Sequence, residues 1–165
     1  MHFVTLLTCS SQQVVKNASG AALPSILPAT LALALTDMSS DAEALLALST
    51  APIDIEGRMP NSSNATFLVQ VGDPEAGIKG IYKPLRGERP LWDFPAGLYK
   101  REVAAYLLSE SLGFHLVPPT VMRDGPLGEG SLQLFIDYDP EEHYFIIYEQ
   151  RPDLHERLKA MAVFD

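Results

Sequence analysis

The sequence is most informative over residues 79–113, KGIYKPLRGERPLWDFPAGLYKREVAAYLLSESLG. This segment predicts a strand over residues 80–83, which Pro84 ends because proline has no amide hydrogen to donate to a sheet. A basic loop follows, and then a helix over about residues 98–112. Gly113 comes next, at the position where helix ends favour a left-handed residue. The segment therefore predicts the order strand, loop, helix.

Lys83 and Glu102 are expected to form an ion pair. Lys83 ends the predicted strand, and Glu102 lies in the first turn of the predicted helix. This helix is apolar on nearly every side, so most of it, including Leu108, is predicted to be buried, and charges are rarely buried without a partner. A strand lysine paired with a helix glutamate holds the nucleotide phosphates in kinase-type folds. The simpler alternative is that Lys83 extends into solvent from the end of its strand.

Composition limits the classes of partner. The chain has 165 residues, enough for one domain or one lobe of a larger domain, and it is 47% hydrophobic, enough for a packed core. Its net charge of −9 argues against nucleic acid and against an anionic membrane surface as general partners. Residues 79–101 differ from the rest, with six basic and two acidic side chains. Such a basic loop indicates either a small anionic ligand or a solvated surface.

The amino-terminal part of the chain is not predicted to span a membrane. Its apolar run over residues 21–35 is shorter than the roughly 20 residues of a span and is interrupted by two prolines. Cys9 is the single cysteine, which excludes an internal disulfide and fits a reducing compartment, so a cytoplasmic protein is expected. Residues 1–37 are predicted to be a poorly ordered extension, and residues 38–165 the folded domain.

Further elements are predicted on the amino-terminal side of residue 79. A short helix is expected over residues 40–49, because Ser40 and Glu43 have the spacing of a capping box. Residues 53–57 and 67–71 are predicted to be strands. The turn between them is rich in Asn and Ser. It is either an ordinary hairpin turn or, in a kinase-like lobe, a cover for the nucleotide phosphates.

The part of the chain after the long helix predicts more strands and a final helix. Strands are predicted over residues 120–123, 132–136 and 143–148, with a loop over residues 124–130. Asp153 is expected to cap the final helix, which carries Leu158 on its apolar face. In the basic loop, Trp92 and Phe94 are expected to be packing anchors.

Several motifs resemble those of an uncharacterised bacterial family related to phosphatidylinositol 3- and 4-kinases. The matching segments are residues 82–84, 87–95, 101–106, 117–120 and 161–165. The resemblance as a whole extends over roughly residues 56–165, and the family is more distantly similar to HipA-type kinases. The resemblance implies an α+β fold, the amino-terminal lobe of a kinase-like protein, in which one long packed helix crosses a mostly antiparallel twisted sheet.

The resemblance also implies an ATP-dependent phosphotransferase with ATP and magnesium as cofactors. Lys83 would hold the α- and β-phosphates of ATP, with Glu102 as its ion-pair partner. The remaining implied ATP contacts are Ser62, Ser63 and Asn64 over the phosphates, and Gln133, Leu134, Phe135 and Ile136 around the adenine. The phosphoryl acceptor would be a lipid or a protein.

The chain departs from the kinase pattern because it lacks the catalytic loop that bears an aspartate and an asparagine. No catalytic residue and no metal ligand is therefore predicted within it. We expect the chain to stop short of that loop, with the magnesium ligands beyond Asp165. The alternative function is a non-catalytic nucleotide-binding or pseudokinase-type interaction module.

Overall fold

The computed structural model describes residues 29–60, 62, 64–93, 95–139 and 141–165, with side chains from Ser40 onward. This part of the chain is an α+β fold with one five-stranded sheet and four α-helices. The helices are α1 (Ala29–Thr50), α2 (Tyr99–Ser111), α3 (Tyr144–Gln150) and α4 (His155–Phe164). The strands are β1 (Ile53–Arg58), β2 (Phe67–Val71), β3 (Ile78–Pro84), β4 (Thr120–Gly125) and β5 (Gly128–Leu134).

The sheet is antiparallel throughout, and its strand order is β1-β2-β3-β5-β4. The predicted strand before the basic loop is therefore the central strand, β3. Its partners are fixed by the register, in which Tyr82 pairs with Phe67 of β2 and with Leu132 of β5. Successive side chains of a strand point to opposite faces, so Tyr82 and Lys83 lie on opposite faces of the sheet.

Helix α1 covers one face of the sheet and forms the main core with it. The fully buried side chains of this core are Leu48, Val69, Val71, Tyr82 and Leu132. Arg123 of β4 fastens the end of α1, because its Nη1 donates to the carbonyl oxygens of Leu48 at 2.8 Å and Ala51 at 2.9 Å. These are carbonyl groups that the helix end leaves without partners of its own.

Helix α1 begins earlier than the sequence predicts. It starts at Ala29, so Ser40 and Glu43 lie inside the helix and do not cap it. The upstream residues are mostly Ala and Leu, which are strong helix formers, and the helix extends through them. It therefore crosses the predicted boundary at residue 37. The rest of the predicted extension, residues 1–28, lies outside the described residues.

Helix α2 matches the predicted bounds to within one residue, and Gly113 has the expected left-handed backbone with φ 71°. The predicted burial of this helix is wrong, however. Leu108 is 51% exposed, because α2 contacts β4 and β5 with the side that carries Tyr99, Tyr106 and Ser109. The helix has apolar residues on nearly every side, but the sheet covers only one side, so the apolar residues on the other sides remain exposed.

The loop predicted over residues 124–130 is also wrong, because β4 and β5 form a tight hairpin there. Gly128 takes a left-handed backbone in the turn of this hairpin, with φ 98°, whereas Gly125 and Gly130 lie in the strands beside the ring of Tyr82. A Cβ atom on Gly125 would lie 2.8 Å from Cζ of Tyr82, and one on Gly130 would lie 2.9 Å from its Cε2. The Tyr82 hydroxyl donates to the carbonyl oxygen of Gly128.

The strand predicted over residues 143–148 is helix α3. A short apolar run is compatible with either structure, and here Tyr144 and Tyr148 stack one helical turn apart with ring centroids 5.9 Å from each other. Tyr148 also stacks on His155 at 4.4 Å. These aromatic contacts within and just beyond the helix favour the helical form.

Two smaller predictions about side chains are wrong as well. Asp153 does not cap α4, because its carboxylate accepts hydrogen bonds from the Arg151 guanidinium, at 2.8 Å from Nη2. Trp92 is 97% exposed and is not a packing anchor, while Phe94 lies outside the described residues. Leu158, on the predicted apolar face of α4, is buried. Within the described part of the chain, none of the helices has the length and apolar character needed to cross a lipid bilayer.

Candidate functional site

The candidate site is centred on the end of β3, where the predicted ion pair is present. The Nζ atom of Lys83 lies 2.7 Å from Oε1 of Glu102, and 30% and 39% of the two side chains are exposed. The pair lies on the face of the sheet opposite α1. Lys83 pairs with Ser131 and Ile81 with Gln133, so these four side chains share this face.

The turn between β1 and β2 lies at the same end of the sheet as Lys83, since Phe67 pairs with Tyr82. Its predicted phosphate-contacting side chains are used to build the turn itself. The Ser62 hydroxyl lies within hydrogen-bond distance of two carbonyl oxygens, that of Met59 at 3.1 Å and that of Asn64 at 2.8 Å. Ser63 lies outside the described residues.

This turn is docked on the first residues of the basic loop. The Ala65 amide donates to the carbonyl oxygen of Gly87 at 2.9 Å, and the Arg89 amide donates to Oδ1 of Asn64 at 3.0 Å. The approach is so close that a Cβ atom on Gly87 would lie 2.3 Å from that of Ala65. A glycine is therefore needed at position 87.

Glu88, between these two residues, caps helix α2. Its Oε1 accepts from the amide of Tyr99 at 2.6 Å, and its Oε2 accepts from the amide of Gly97 at 2.8 Å. Leu98, at the N-cap position, provides no side-chain hydrogen bond. A carboxylate is well suited to this place, because the first amides of a helix lack partners and the helix end carries partial positive charge.

The sequence prediction of the site missed Glu88. The available signals were an acidic residue within a basic loop and a helix whose own N-cap residue, a leucine, cannot cap it. Neither signal shows that Glu88 caps this helix, because the amides that it binds, those of Gly97 and Tyr99, lie 9 and 11 residues further along the chain.

Tyr99 begins α2 beside this cap, and its side chain is 2% exposed. Among the described residues, its hydroxyl has no hydrogen-bond partner. Burial, and then the carboxylate of Glu129, which lies close by without reaching hydrogen-bond geometry, raise the pKa of Tyr99 to about 12.

The end of β5 carries the residues predicted to line an adenine. The strand ends at Leu134 rather than at residue 136, but its hydrogen-bond ladder continues. The amides of Leu134 and Phe135 donate to the carbonyl oxygens of Pro119 and Lys79, both at 2.9 Å. The side-chain amide of Gln133 donates to Oγ1 of Thr120 at 2.9 Å. Ile136 follows the last of these bonds and is half-buried.

The structure places the predicted residues at both ends of β3 and not all on one face of the sheet, since Leu134 packs against the core beneath α1, on the face opposite Lys83. Lys83, Glu102 and the turn that carries Ser62 and Asn64 are at one end of β3, and Phe135 bonds Lys79 at the other. Over the part of the chain that the structure describes, no group of three or more His, Cys, Asp or Glu side chains could hold a metal ion.

Two cavities lie apart from the ion pair. One, of 190 Å³, is mostly apolar and is lined by Leu116, Tyr144, Leu158, Met161, Ala162, Phe164 and Asp165. The other, of 120 Å³, lies within the basic loop and is lined by Leu85, Glu88, Arg89, Pro90, Leu91, Pro95, Ala96 and Leu98. Neither is lined by Lys83 or Glu102.

Comparison with known proteins gives one informative similarity. No family model matches the chain, and no solved structure matches it. Protein Rv2133c of Mycobacterium tuberculosis (strain ATCC 25618 / H37Rv) is 48% identical to it over 107 residues. The match covers 64% of this chain and 37% of Rv2133c, so the chain spans little more than a third of that curated relative.

Proposed function

We propose that this chain is the ATP-binding portion of a phosphotransferase related to phosphatidylinositol 3- and 4-kinases, with the fold of a kinase-like amino-terminal lobe. The observation that carries the proposal is the ion pair between Lys83 and Glu102, 2.7 Å long and about one-third exposed. A lysine held in place by a carboxylate, yet open to solvent, can bind an anionic phosphate without a large desolvation cost.

The order of groups along β3 supports this proposal. Lys83 and the turn before β2 are at one end of the strand, where the phosphates would bind. The connection that follows β5 is at the other end, next to Lys79, where the adenine would bind. Lys79 and Lys83 are four residues apart, which corresponds to about 13 Å of strand. That separation is comparable with the length of an extended nucleotide.

The hydrogen bonds within the turn reduce the number of its groups that are available to donate to a phosphate. Phosphate oxygens are acceptors, and the Ser62 hydroxyl already has carbonyl acceptors within the turn. The Asn64 side chain accepts a hydrogen bond from the Arg89 amide through its oxygen. We therefore assign the turn's contacts with phosphate to main-chain amides, as in other backbone anion sites, and to the side-chain NH2 of Asn64, which is still a donor.

Hydrogen bonds within the sheet likewise reduce the number of donor groups that are available to an adenine. The main-chain amides of Leu134 and Phe135 donate within the sheet, and the Gln133 side chain donates to Thr120. The first main-chain amide beyond this ladder belongs to Ile136, which we propose as the donor to the adenine edge. Gln133, on the same face of the sheet as Lys83, and Phe135 would then contribute to the shape of the pocket, whereas Leu134 packs against the core beneath α1.

ATP would supply the phosphoryl group, and magnesium would neutralise part of the phosphate charge. The described residues fit the nucleotide through Lys83, but they offer no carboxylate set that fits magnesium. The proposal therefore assigns nucleotide binding to this chain, with Glu102 orienting the lysine. Following the family resemblance, we expect the metal ligands and the catalytic base beyond Asp165.

The test is a calorimetric titration of the full-length protein with ATP and magnesium. Lys83→Met should weaken ATP binding by about tenfold or more, because it removes a charge-assisted contact with phosphate. Lys159→Met is the matched control, since Lys159 also pairs with a glutamate, Glu156 at 2.6 Å, but is 70% exposed on α4. Equal ATP affinity in the wild type and Lys83→Met would overturn the proposal.

Turnover separates the proposed enzyme from a non-catalytic nucleotide-binding module. ATP binding that depends on Lys83, together with phosphoryl transfer to any acceptor or to water, supports the phosphotransferase. The same binding without any turnover in the full-length protein would support the pseudokinase-type module.

A further inference from the structure

We propose that Glu88 is a positioning residue that holds Glu102 in place against Lys83. We further propose that the tripeptide Gly87, Glu88, Arg89 links this ion pair mechanically to the turn between β1 and β2. The proposal deepens the function given above and rests on it, because it explains how the phosphate-binding groups would be kept in one arrangement.

Glu88 completes a closed ring of contacts around the ion pair. Lys83 is followed by Pro84 and by a single 3-10 turn, Leu85–Gly87, whose last hydrogen bond runs from the Glu88 amide to Leu85 at 3.1 Å. The Glu88 carboxylate then holds the amide of Tyr99 at 2.6 Å. Glu102 lies one turn further along α2 and returns to Lys83. The ring therefore consists only of short chain segments, one hydrogen bond between Glu88 and Tyr99, and the ion pair itself.

Without Glu88, the start of α2 would be held by the packing of its buried side, which includes Tyr99, against β4 and β5, and its chain connection to β3 would be the ten residues 89–98. This loop is largely exposed, with Trp92 97% exposed at its middle. A long exposed loop restrains a helix end weakly. Because Glu102 is in the first turn of α2, its distance from Lys83 depends on how firmly that first turn is held.

The same tripeptide holds the turn on its other side. Gly87 accepts from the amide of Ala65 at 2.9 Å, and Arg89 donates its amide to Asn64 at 3.0 Å. Three consecutive residues thus contact both the start of α2 and the turn. A displacement of either element should be transmitted to the other through residues 87–89.

Amide hydrogen exchange of the protein without nucleotide tests the link itself. In Glu88→Gln the side chain keeps its size but has one acceptor oxygen in place of two. Exchange at the Gly97 and Tyr99 amides should rise by about tenfold, because charge-assisted hydrogen bonds are lost. Exchange at the Ala65 amide should rise as well. Asn64→Ala should in turn raise exchange at Tyr99.

Glu110→Gln is the matched control, since Glu110 pairs with His115 at the other end of α2. It should leave exchange at Ala65 and Tyr99 unchanged. If Glu88→Gln affects Gly97 and Tyr99 alone, and Asn64→Ala leaves Tyr99 unchanged, the link between the two elements is overturned. This result does not depend on whether the protein binds ATP.

ATP affinity tests the positioning role. If Glu88 acts through Glu102, then Glu88→Gln should weaken ATP binding severalfold, and it should add little in a protein that already carries Glu102→Gln. Fully additive effects on affinity would indicate general destabilisation and would overturn the positioning role. Loss of the proposed function is recognised separately, by Lys83→Met leaving ATP binding unchanged.

Discussion

Lys83 and Glu102 are in direct contact, with Nζ 2.7 Å from Oε1, although 30% and 39% of their side chains remain exposed. An ion pair that stays open to water gains little free energy, because water already solvates both charges. The pair is therefore poorly suited to stabilising the fold. In the proposed function, its role is instead to present the lysine in a fixed orientation to an anionic ligand.

The first prediction concerns the contribution of this pair to stability. Lys83→Met and Glu102→Gln should each change the free energy of unfolding by about 0–1 kcal/mol, the range for exposed pairs. Urea denaturation of the two variants measures this change. A loss of about 3–5 kcal/mol would instead indicate a pair that is buried in solution.

The second prediction compares two leucines, one on each long helix. Leu48 is fully buried in the core between α1 and the sheet, so Leu48→Ala should cost about 2–5 kcal/mol of unfolding free energy. Leu108 is 51% exposed on α2, so Leu108→Ala should stay within about 0.5 kcal/mol of the wild type. Thermal or urea denaturation measures both. Equal losses in the two variants would contradict the observed orientation of α2.

The third prediction concerns the close approach of Gly87 to Ala65. Gly87→Ala places a methyl group 2.3 Å from Cβ of Ala65, and relieving this overlap should cost about 1–3 kcal/mol. Gly57→Ala is the control, because no atom lies within 4 Å of the added methyl group there. If both variants melt like the wild type, the turn is not docked on the basic loop as described.

The fourth prediction concerns alkaline pH. The pKa of Tyr99 is raised from 10.0 to about 12, chiefly by burial of the hydroxyl. Below pH 10 the residue is protonated in both the folded and the unfolded chain, so its contribution to stability is fully present. Between about pH 10 and 12 the unfolded chain loses this proton first, and the free energy of unfolding falls.

Tyr99→Phe should remove this part of the alkaline destabilisation. Urea denaturation at pH 8 and at pH 11 measures the difference between variant and wild type. Tyr138→Phe, at a side chain that is 42% exposed, is the matched control. An alkaline loss of stability that is identical in the wild type and Tyr99→Phe would show that the hydroxyl is accessible to water.

Much of the candidate site could be predicted because its signals are local. Pro84 marks the end of β3, and Gly113 marks the end of α2 through its left-handed backbone. Because buried charges need partners, Lys83 and Glu102 could then be predicted to form a pair. The role of Glu88 could not be predicted, because its partners are the amides of a helix end that becomes adjacent only after folding.

By itself, the sequence determined the elements whose signals lie within a few residues, namely the strands around the core and the helix after the basic loop. It also determined that Lys83 lies at the end of a strand and that Glu102 lies in the first turn of that helix. Tertiary structure alone decided which side of that helix is buried, leaving Leu108 exposed. It also placed Gly125 and Gly130 in strands, where a Cβ atom on Gly125 would overlap the ring of Tyr82 and one on Gly130 would overlap the backbone of Lys83 and Pro84. Local propensity acts between neighbours in the chain, whereas burial and close packing depend on residues that meet only in the folded protein.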